Sequence, residues 1–148
     1  MNFKTPFKKS YYYVVFGCGR LGSLIANDLS AKGHSVVVID RDENSFDNLS
    51  FDFTGFTLVG EANEIEQMKE AKIEKAYGVF VLTPDDNTNI MIALTVKKYF
   101  NVNNVIARVY NPKNIKTFAK HKIEIVCPTM LASNRLKKFI SKGEKMWK

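Results

Sequence analysis

The chain of 148 residues has little cysteine and histidine and no long apolar run, and each shortage excludes a class of protein. Two cysteines are too few for a disulfide-stapled scaffold. No stretch approaches the roughly 20 apolar residues that a membrane-spanning helix requires, and the first ten residues hold no apolar run of signal-peptide length. The histidines and cysteines form no cluster with metal-ligand spacing. We therefore expect a cytoplasmic protein without a bound metal.

The net charge of +7 is concentrated at the two ends of the chain. Residues 1–9 carry three lysines, residues 10–110 have a balance of −4, and residues 111–148 have a balance of +8. The basic C-terminal region is typical of a solvated lysine face, or of contact with an acidic protein or a membrane surface. No combined aromatic and basic motif of an RNA- or DNA-binding module is present, so we expect no nucleic-acid partner.

Apolar runs of strand length alternate with amphipathic stretches of helix length, which predicts a parallel α/β sheet. Right-handed crossovers favour a doubly wound, six-stranded Rossmann-type sheet of order 3-2-1-4-5-6. The predicted strands are 11–16, 35–39, 56–59, 77–82, 105–109 and 123–126. The predicted helices are 20–32, 42–53, 63–71, a fourth that starts at the cap Thr83 and ends near residue 100, 112–121 and 128–141.

Residues 10–141 are predicted to form one domain, between a disordered basic arm at 1–9 and a lysine-rich tail at 142–148. In this layout Cys18 follows the first strand and Cys127 the sixth. These strands lie three positions apart, so the two residues are separated by about 14 Å. A disulfide tolerates a Cα separation of at most about 7 Å. Both thiols are therefore predicted to be free.

The strongest motif is the G-x-G-x-x-G at residues 17–22. It follows a buried strand and opens a helix, and Asp40 ends the second strand 23 positions after Gly17, which is the context that the dinucleotide-binding fingerprint requires. Gly17 is predicted to permit a tight turn, Gly19 to let the backbone approach a phosphate, and Gly22 to let the helix pack close to the strand. The phosphates would rest on the N-terminus of the helix.

Charged residues beside the glycine loop support this interpretation. Arg20 lies in the first helical turn, where a cation is unfavourable by roughly 0.3–1 kcal/mol without a nearby anion. We expect it to clamp phosphate oxygens, and a merely exposed arginine is the alternative. Asp40 is placed to accept hydrogen bonds from ribose hydroxyls, or it simply opens a turn. Its carboxylate would repel a 2′-phosphate, whereas the adjacent Arg41 could receive one.

Further polar residues follow the third, fourth and fifth strands. Residues 60–62 reach the adenine side of the crevice, or form a plain turn before a helix capped by Asn63. Thr83 and Asp85 face the same crevice, or act only as caps. Arg108 reaches the phosphates or pairs with a carboxylate. The candidate nucleotide-binding residues are Gly17, Cys18, Gly19, Arg20, Leu21, Gly22, Asp40, Arg41, Gly60, Glu61, Ala62, Thr83, Asp85 and Arg108.

As a co-linear set, these motifs resemble the nucleotide-binding domain of the Trk/Ktr potassium-transport regulators, also called the RCK or TrkA N-terminal domain. The matching stretches are VVFGCGRLG, VVVID ending at Asp40, VGEANE, FVLTPDDNTN, VIARVYNP and IVCPTMLAS. They span nearly all of residues 12–140. The arginine inside the glycine loop and the late ARV segment are not general Rossmann features, which makes the resemblance specific.

The resemblance implies a regulatory module that senses NAD(H), ATP, ADP, AMP or a similar nucleotide. It implies pairing through the late helices into a homodimer or higher ring, which gates a potassium channel or transporter at the inner membrane. Carried over, the glycines at 17, 19 and 22 with Arg20 would hold phosphate, Asp40 the ribose, and Glu61 and Ala62 the adenosine rim. The family usually has Gly-Asp where this chain has Gly60-Glu61, so the detailed contact there is open.

Many relatives carry a C-terminal ligand-binding lobe, and this chain ends where that lobe would begin. We expect a single-lobe member or one that partners a separate chain. The helix at 128–141, with Met130, Leu131, Leu136, Phe139 and Ile140 apolar, is the candidate for a subunit contact, or packs on its own sheet.

An NAD-dependent oxidoreductase is the alternative function. Its difficulty is length, because the nucleotide fold consumes almost every residue and leaves no substrate domain. His34 and His121 fall where surface histidines commonly lie, and no Ser/His/Asp arrangement is evident. We therefore expect no catalysis.

Overall fold

A computed structural model describes residues 8–142. Its six strands are β1 (Tyr12–Phe16), β2 (Ser35–Asp40), β3 (Phe56–Val59), β4 (Gly78–Val81), β5 (Val105–Arg108) and β6 (Glu124–Val126). Its α-helices are α1 (Arg20–Ala31), α2 (Ile65–Glu70), α3 (Asp86–Lys98), α4 (Ile115–Lys120) and α5 (Pro128–Ser141). Three short 3₁₀ helices lie at Glu43–Asn48, Ile73–Lys75 and Pro112–Asn114. Most of the predicted arm and tail, residues 1–7 and 143–148, lies outside the described residues, and the domain limits at 10 and 141 stay a prediction.

The strands form a single parallel sheet of order β3-β2-β1-β4-β5-β6, which confirms the doubly wound Rossmann-type prediction. The chain order reverses between β1 and β4, where Val14 of β1 lies beside Val37 of β2 on one side and Val79 of β4 on the other. Strands buried on both faces read as continuous apolar runs. In such sheets the crevice at the carboxyl ends of the two switch-point strands is the place where ligands bind.

Each face of the sheet has its own core. On one face α1 packs over β1 and β2 through Ala26 and Leu29. On the other face the core includes Met68 of α2, Ile92 of α3 and Phe118 of α4. Helix α5 has no buried residue, and within residues 8–142 no helix has both the length and the apolar character needed to cross a bilayer.

The predicted helix at 42–53 is wrong in type and length, because only the 3₁₀ helix Glu43–Asn48 forms there. The Asp42 side chain accepts a hydrogen bond from the N–H of Asn44, and the Ser50 hydroxyl accepts one from the N–H of Asp52. Side chains of Asp and Ser that bond to nearby backbone groups compete with the α-helical pattern. The segment is therefore a series of turns.

The predicted cap of the fourth helix is also wrong. Asp85, and not Thr83, caps α3: its carboxylate accepts hydrogen bonds from both the N–H and the hydroxyl of Thr88, each at 2.8 Å. The Thr83 hydroxyl instead donates a hydrogen bond to the side-chain amide oxygen of Asn89. The helix thus begins two residues after Pro84, at Asp86.

Three smaller differences concern helix ends. The predicted helix at 112–121 divides into the 3₁₀ turn Pro112–Asn114 and α4, and the helix predicted from residue 63 begins at Ile65 without a side-chain cap, so Asn63 does not cap it. Helix α1 ends at Ala31, and Gly33 has a positive φ of 84°, which a glycine adopts at low cost. Cys18 and Cys127 are both free, as predicted, and the structure shows that both are buried.

Candidate functional site

A cavity of about 370 Å³ opens at the carboxyl edge of the sheet, between the ends of β1 and β4. This is the switch point of the strand order, where the sequence predicts a ligand. Its lining residues are Gly17, Gly19, Ile39, Asp40, Arg41, Asp42, Ser45, Glu61, Ala62, Asn63, Leu82, Thr83, Pro84, Asp85, Thr88 and Arg108.

The glycine loop has a geometry that other residues would not reproduce. Gly17 has a φ of 92°, and a Cβ there would lie 2.7 Å from the carbonyl oxygen of Leu82. A Cβ on Gly22 would lie 1.9 Å from the carbonyl oxygen of Gly17, so α1 could not approach the loop so closely. A Cβ on Gly19 would meet nothing within 4 Å. Gly17 and Gly22 are thus explained by packing, whereas Gly19 leaves open space beside its backbone.

The N-terminus of α1 has no side-chain cap. Gly19 occupies the N-cap position, where it offers no side-chain acceptor, and the first turn contains no acidic residue. The first N–H groups of a helix lack intrahelical partners and carry partial positive charge. This uncapped end is suited to an anion.

Asp40 holds the glycine loop as well as bordering the cavity. One carboxylate oxygen accepts a hydrogen bond from the N–H of Cys18 at 2.7 Å, and the other accepts one from the N–H of Asp42 at 2.8 Å. Each carboxylate oxygen can accept more than one hydrogen bond, so capacity remains for hydroxyl groups. Burial, followed by the charge of Asp40, raises the pKa of the Cys18 thiol to about 11.

A buried amide joins the walls contributed by β4 and β5. Asn89 of α3 is fully buried, and its amide nitrogen donates to the carbonyl oxygens of Thr83 and Arg108, at 2.9 and 3.0 Å. Its amide oxygen accepts a hydrogen bond from the N–H of Thr83 at 3.2 Å. The main chain at both walls is therefore fixed by one side chain.

Asp86 fixes the loop that follows β5. Its carboxylate accepts hydrogen bonds from the N–H groups of Tyr110 at 2.6 Å and Asn111 at 3.0 Å, and from the side-chain amide of Asn114 at 2.7 Å. Partial burial by itself raises the pKa of this carboxyl. The hydrogen bonds from Asn111, Tyr110 and Asn114, together with the charge of Arg108, outweigh burial and leave the pKa below its usual value.

Arg108 has an unsatisfied donor at the cavity. Its Nε is buried and has no hydrogen-bond partner among the described residues, and its guanidinium lies 5.4 Å from the ring centroid of Tyr110. The carboxylate-pairing alternative does not take the form of an ion pair within residues 8–142, where the only two pairs are Lys32–Asp28 and Lys69–Glu66. Its charge does act on Asp86 at longer range.

The structure brings nine of the fourteen predicted site residues to the cavity wall. They are Gly17, Gly19, Asp40, Arg41, Glu61, Ala62, Thr83, Asp85 and Arg108. The other five do not line it: Cys18 is buried, Leu21 packs on the core of α1, Gly22 is buried against Gly17, Gly60 lies against Gln67, and Arg20 is exposed at the start of α1. Their predicted roles in binding remain predictions.

Sequence reasoning missed several wall residues. Asp42 and Ser45 reach the cavity because the segment after β2 folds into turns instead of a helix. Thr88 reaches it through its bonds to Asp85, and the spacing of three between a capping aspartate and a threonine was an available signal. Asn89 was not predicted, because a buried asparagine in a helix leaves no pattern in the sequence.

The histidines lie away from this cavity. His34 precedes β2 and its Nδ1 accepts a hydrogen bond from the N–H of Tyr11, and His121 follows α4 just before β6. Both positions are at the opposite edge of the sheet. Among the described residues no group of His, Cys, Asp and Glu has the arrangement of a metal site.

Comparison with known proteins identifies a consistent set of relatives. The model of the TrkA-N domain family matches residues 13–128. The Trk system potassium uptake protein TrkA of Streptomyces coelicolor is 34% identical over 139 residues, which cover 93% of this chain and 62% of that protein. A TrkA homolog of Methanothermobacter thermautotrophicus is 30% identical and covers 88% of this chain and 61% of that protein. The chain thus spans about three fifths of the length of these relatives.

Solved structures show the same fold. The GsuK RCK domain superposes with a TM-score of 0.77 at 23% identity, covering 93% of this chain and 29% of that one. The AMP-bound Kef C-terminal domain of Shewanella denitrificans has a TM-score of 0.73 at 17% identity, covering 90% of this chain and 82% of that one. The GsuK channel bound to NAD has a TM-score of 0.67 at 16% identity, covering 82% of this chain and 22% of that one.

Proposed function

The chain belongs to the TrkA-N family, and on that premise we propose that it is the nucleotide-binding regulatory domain of a potassium-uptake system. The observation that carries the proposal is the uncapped N-terminus of α1, which opens beside Asp40 at the switch-point cavity. An anion at the helix end and a hydroxyl-bearing sugar at the carboxylate satisfy both features. The ligand class is an adenine nucleotide, namely NAD(H), ATP, ADP or AMP.

Each wall of the cavity has a role in this proposal. The open space beside Gly19 receives phosphate, and Asp40 accepts hydrogen bonds from the ribose hydroxyls. Glu61 and Ala62 border the adenosine. Arg108 donates its unsatisfied Nε–H, or the outer nitrogens of its guanidinium, to a phosphate oxygen. Arg20, which is exposed at the start of α1, is assigned to the phosphates as well.

Calorimetric titration of the full chain with ADP, AMP and NADH tests the ligand class. The Arg108→Gln variant is expected to bind ADP about 10-fold to 100-fold more weakly, because a charge-assisted hydrogen bond contributes about 1.5–3 kcal/mol. Lys98→Gln is the control that removes one positive charge elsewhere, since Lys98 lies exposed at the end of α3, at the opposite edge of the sheet, and its substitution should leave binding unchanged. No heat with any of the three nucleotides would refute the proposal.

Regulation also requires a surface through which the domain contacts another subunit or the transporter. Helix α5 exposes Leu136 and Ile140, which lie four positions apart on one helical face and are 62% and 74% accessible. Large apolar side chains exposed together indicate a contact with another molecule. We assign this face to the homodimer or ring, in which a nucleotide changes the arrangement of subunits and a membrane potassium-transporter subunit responds. The nucleotide must then bind one arrangement more tightly than the other.

Light scattering with and without nucleotide tests the assembly. Leu136→Glu combined with Ile140→Glu should convert the assembly to monomers. Leu24→Glu is the control, because Leu24 is 66% exposed on α1 and lies on another surface. Identical assembly with and without every nucleotide would exclude a switch while leaving nucleotide binding intact.

We place the domain in the cytoplasm, bound to the inner membrane through its transporter, and assign it no catalytic reaction.

A further inference from the structure

The edge of the sheet opposite the nucleotide cavity carries a surplus of lysine. Four neighbouring strands, β1, β4, β5 and β6, begin at this edge, and the segments 8–11, 71–77, 97–104 and 120–124 lie at their starts. We call these four segments the lysine edge. Together they contain eight lysines, no arginine, and only two carboxylates, Glu74 and Glu124.

Backbone and side-chain contacts join the four segments into one surface. The N–H of Tyr77 donates to the carbonyl oxygen of Tyr12 at 2.7 Å, at the starts of β4 and β1. The N–H of Val79 donates to the carbonyl oxygen of Asn104 at 2.9 Å, which connects β4 with the segment before β5. The Lys97 ammonium donates to the carbonyl oxygen of Lys122 at 2.9 Å, which connects the end of α3 with the start of β6. The lysines therefore share one face of the domain.

Among residues 8–142 no carboxylate forms an ion pair with these lysines. The two ion pairs found within residues 8–142 are Lys32–Asp28 at the end of α1 and Lys69–Glu66 in α2, and both lie outside the lysine edge. Helix dipoles favour cations at the ends of α3 and α4, which accounts for Lys98 and Lys120. They do not account for Lys9, which precedes β1, or for Lys122, which follows α4. Helix ends therefore explain only part of the positive charge of the lysine edge.

Tyrosines lie among the lysines. Tyr77 and Tyr99 are 49% and 57% exposed, and the rings of Tyr11 and Tyr77 are 4.2 Å apart. The Lys9 ammonium lies 5.3 Å from the Tyr11 ring centroid. Tyrosine and lysine both combine an apolar body with a polar end, so they are suited to the boundary between water and lipid.

The absence of arginine from these segments bears on the kind of partner. Arginine forms the paired hydrogen bonds by which single phosphates and carboxylates are recognised, whereas lysine acts as a point charge. Eight point charges on one face suit a surface with diffuse negative charge better than a specific acidic peptide or a nucleic-acid groove. We propose that the lysine edge binds the headgroups of an anionic lipid bilayer, and that the nucleotide cavity then faces away from the membrane.

Vesicle sedimentation of the full chain tests this proposal without any nucleotide. We expect binding to vesicles of one part phosphatidylglycerol and two parts phosphatidylcholine, weakened by added salt, and little binding to phosphatidylcholine alone. Because each lysine at an anionic surface contributes roughly a fivefold gain in affinity, Lys98→Glu with Lys120→Glu should weaken binding at least about 25-fold. If that variant does not fold by circular dichroism, Lys9→Gln with Lys75→Gln replaces it, with about the same loss expected.

The matched control is Lys113→Glu with Lys116→Glu. It makes the same change in net charge near the start of α4, toward the cavity edge, and both lysines are exposed. This control should retain vesicle binding within about twofold to threefold, because only distant charge is altered. Equal loss in the control, equal binding to neutral vesicles, or tighter binding to duplex DNA or polyglutamate than to the anionic vesicles would overturn the proposal. None of these results would contradict the proposed nucleotide binding, because the experiment contains no nucleotide.

Discussion

The side chain of Asn89 connects Thr83 to Arg108, because its amide nitrogen donates to both carbonyl oxygens. Thr83 follows β4 and Arg108 ends β5, so a residue of α3 sets the separation of two cavity walls without reaching the cavity itself. A fully buried amide with all of its partners present is costly to replace, since each partner would be left unsatisfied.

Asn89→Leu should therefore destabilise the domain and weaken nucleotide binding together. The substitution keeps the branching and the number of side-chain heavy atoms but leaves backbone groups of Thr83 and Arg108 without partners, which should lower the free energy of unfolding by about 3 kcal/mol. Urea unfolding followed by circular dichroism measures this loss. Asn87→Leu is the control, because Asn87 is exposed on the same helix. Equal stability of the two variants would show that the hydrogen bonds of Asn89 contribute nothing.

Two glycines of the loop at residues 17–22 should have different effects when substituted, one on stability and the other on nucleotide binding. Gly22→Ala should lower the free energy of unfolding by about 3 kcal/mol, the upper end of the usual overpacking range, because its Cβ collides with the carbonyl of Gly17. Gly19→Ala should lower the free energy of unfolding by no more than about 1 kcal/mol, because its Cβ meets open space and only the N-cap preference for glycine over alanine is lost. Paired thermal melts and ADP titrations check both. We expect Gly19→Ala to retain its fold and to lose ADP affinity, and unchanged affinity would mean that phosphate does not rest there.

The sequence predicted the features that depend on local pattern and missed those that depend on long-range pairing. The strand order, the positions of Gly17 and Asp40, and the free cysteines follow from periodicity and from the handedness of crossovers. The turn structure after β2 was missed because Asp42 and Ser50 bond to nearby backbone groups, which average helix propensity does not represent.

The residues that support the cavity walls from behind were missed for the same reason. Asn89 bonds to Arg108 across 19 positions, and Asp86 bonds to Tyr110 across 24. No helix or strand period predicts contacts at such separations. The candidate site could therefore be located from the sequence, whereas the side chains that support it could not.

Cys18 should be unreactive toward thiol reagents in the folded domain. Its side chain is buried, and burial together with the charge of Asp40 raises its pKa to about 11, so the thiolate fraction near pH 8 is on the order of one in a thousand. Labelling with a chromogenic disulfide should proceed only at the rate at which the domain opens. Cys127→Ser isolates the Cys18 signal, and denaturant should expose one thiol in that variant. Fast labelling of folded Cys127→Ser at neutral pH would contradict the buried position of Cys18.

The contribution of Asp86 to stability should depend on pH in a defined direction. The folded-state pKa of this carboxyl lies below its usual value, because its hydrogen bonds and Arg108 outweigh the opposing effect of burial. A group whose pKa is depressed by folding stabilises the protein above its unfolded pKa, about 3.9 for aspartate, and loses that contribution as the pH falls through the folded value. Stability from Asp86 should thus be complete at neutral pH and decline below about pH 4.

Asp86→Asn tests this dependence, because an amide cannot accept all three hydrogen bonds from Tyr110, Asn111 and Asn114. The difference in unfolding free energy between wild type and variant should be constant from about pH 8 to pH 5 and shrink below about pH 4. Asp47→Asn is the control, since Asp47 is exposed on the 3₁₀ helix after β2, and it should show a smaller difference at every pH. A difference between wild type and Asp86→Asn that grew on acidification would mean that folding raises the pKa of Asp86. The loop after β5 would then be held by packing, and the carboxylate would not organise the wall that presents Arg108.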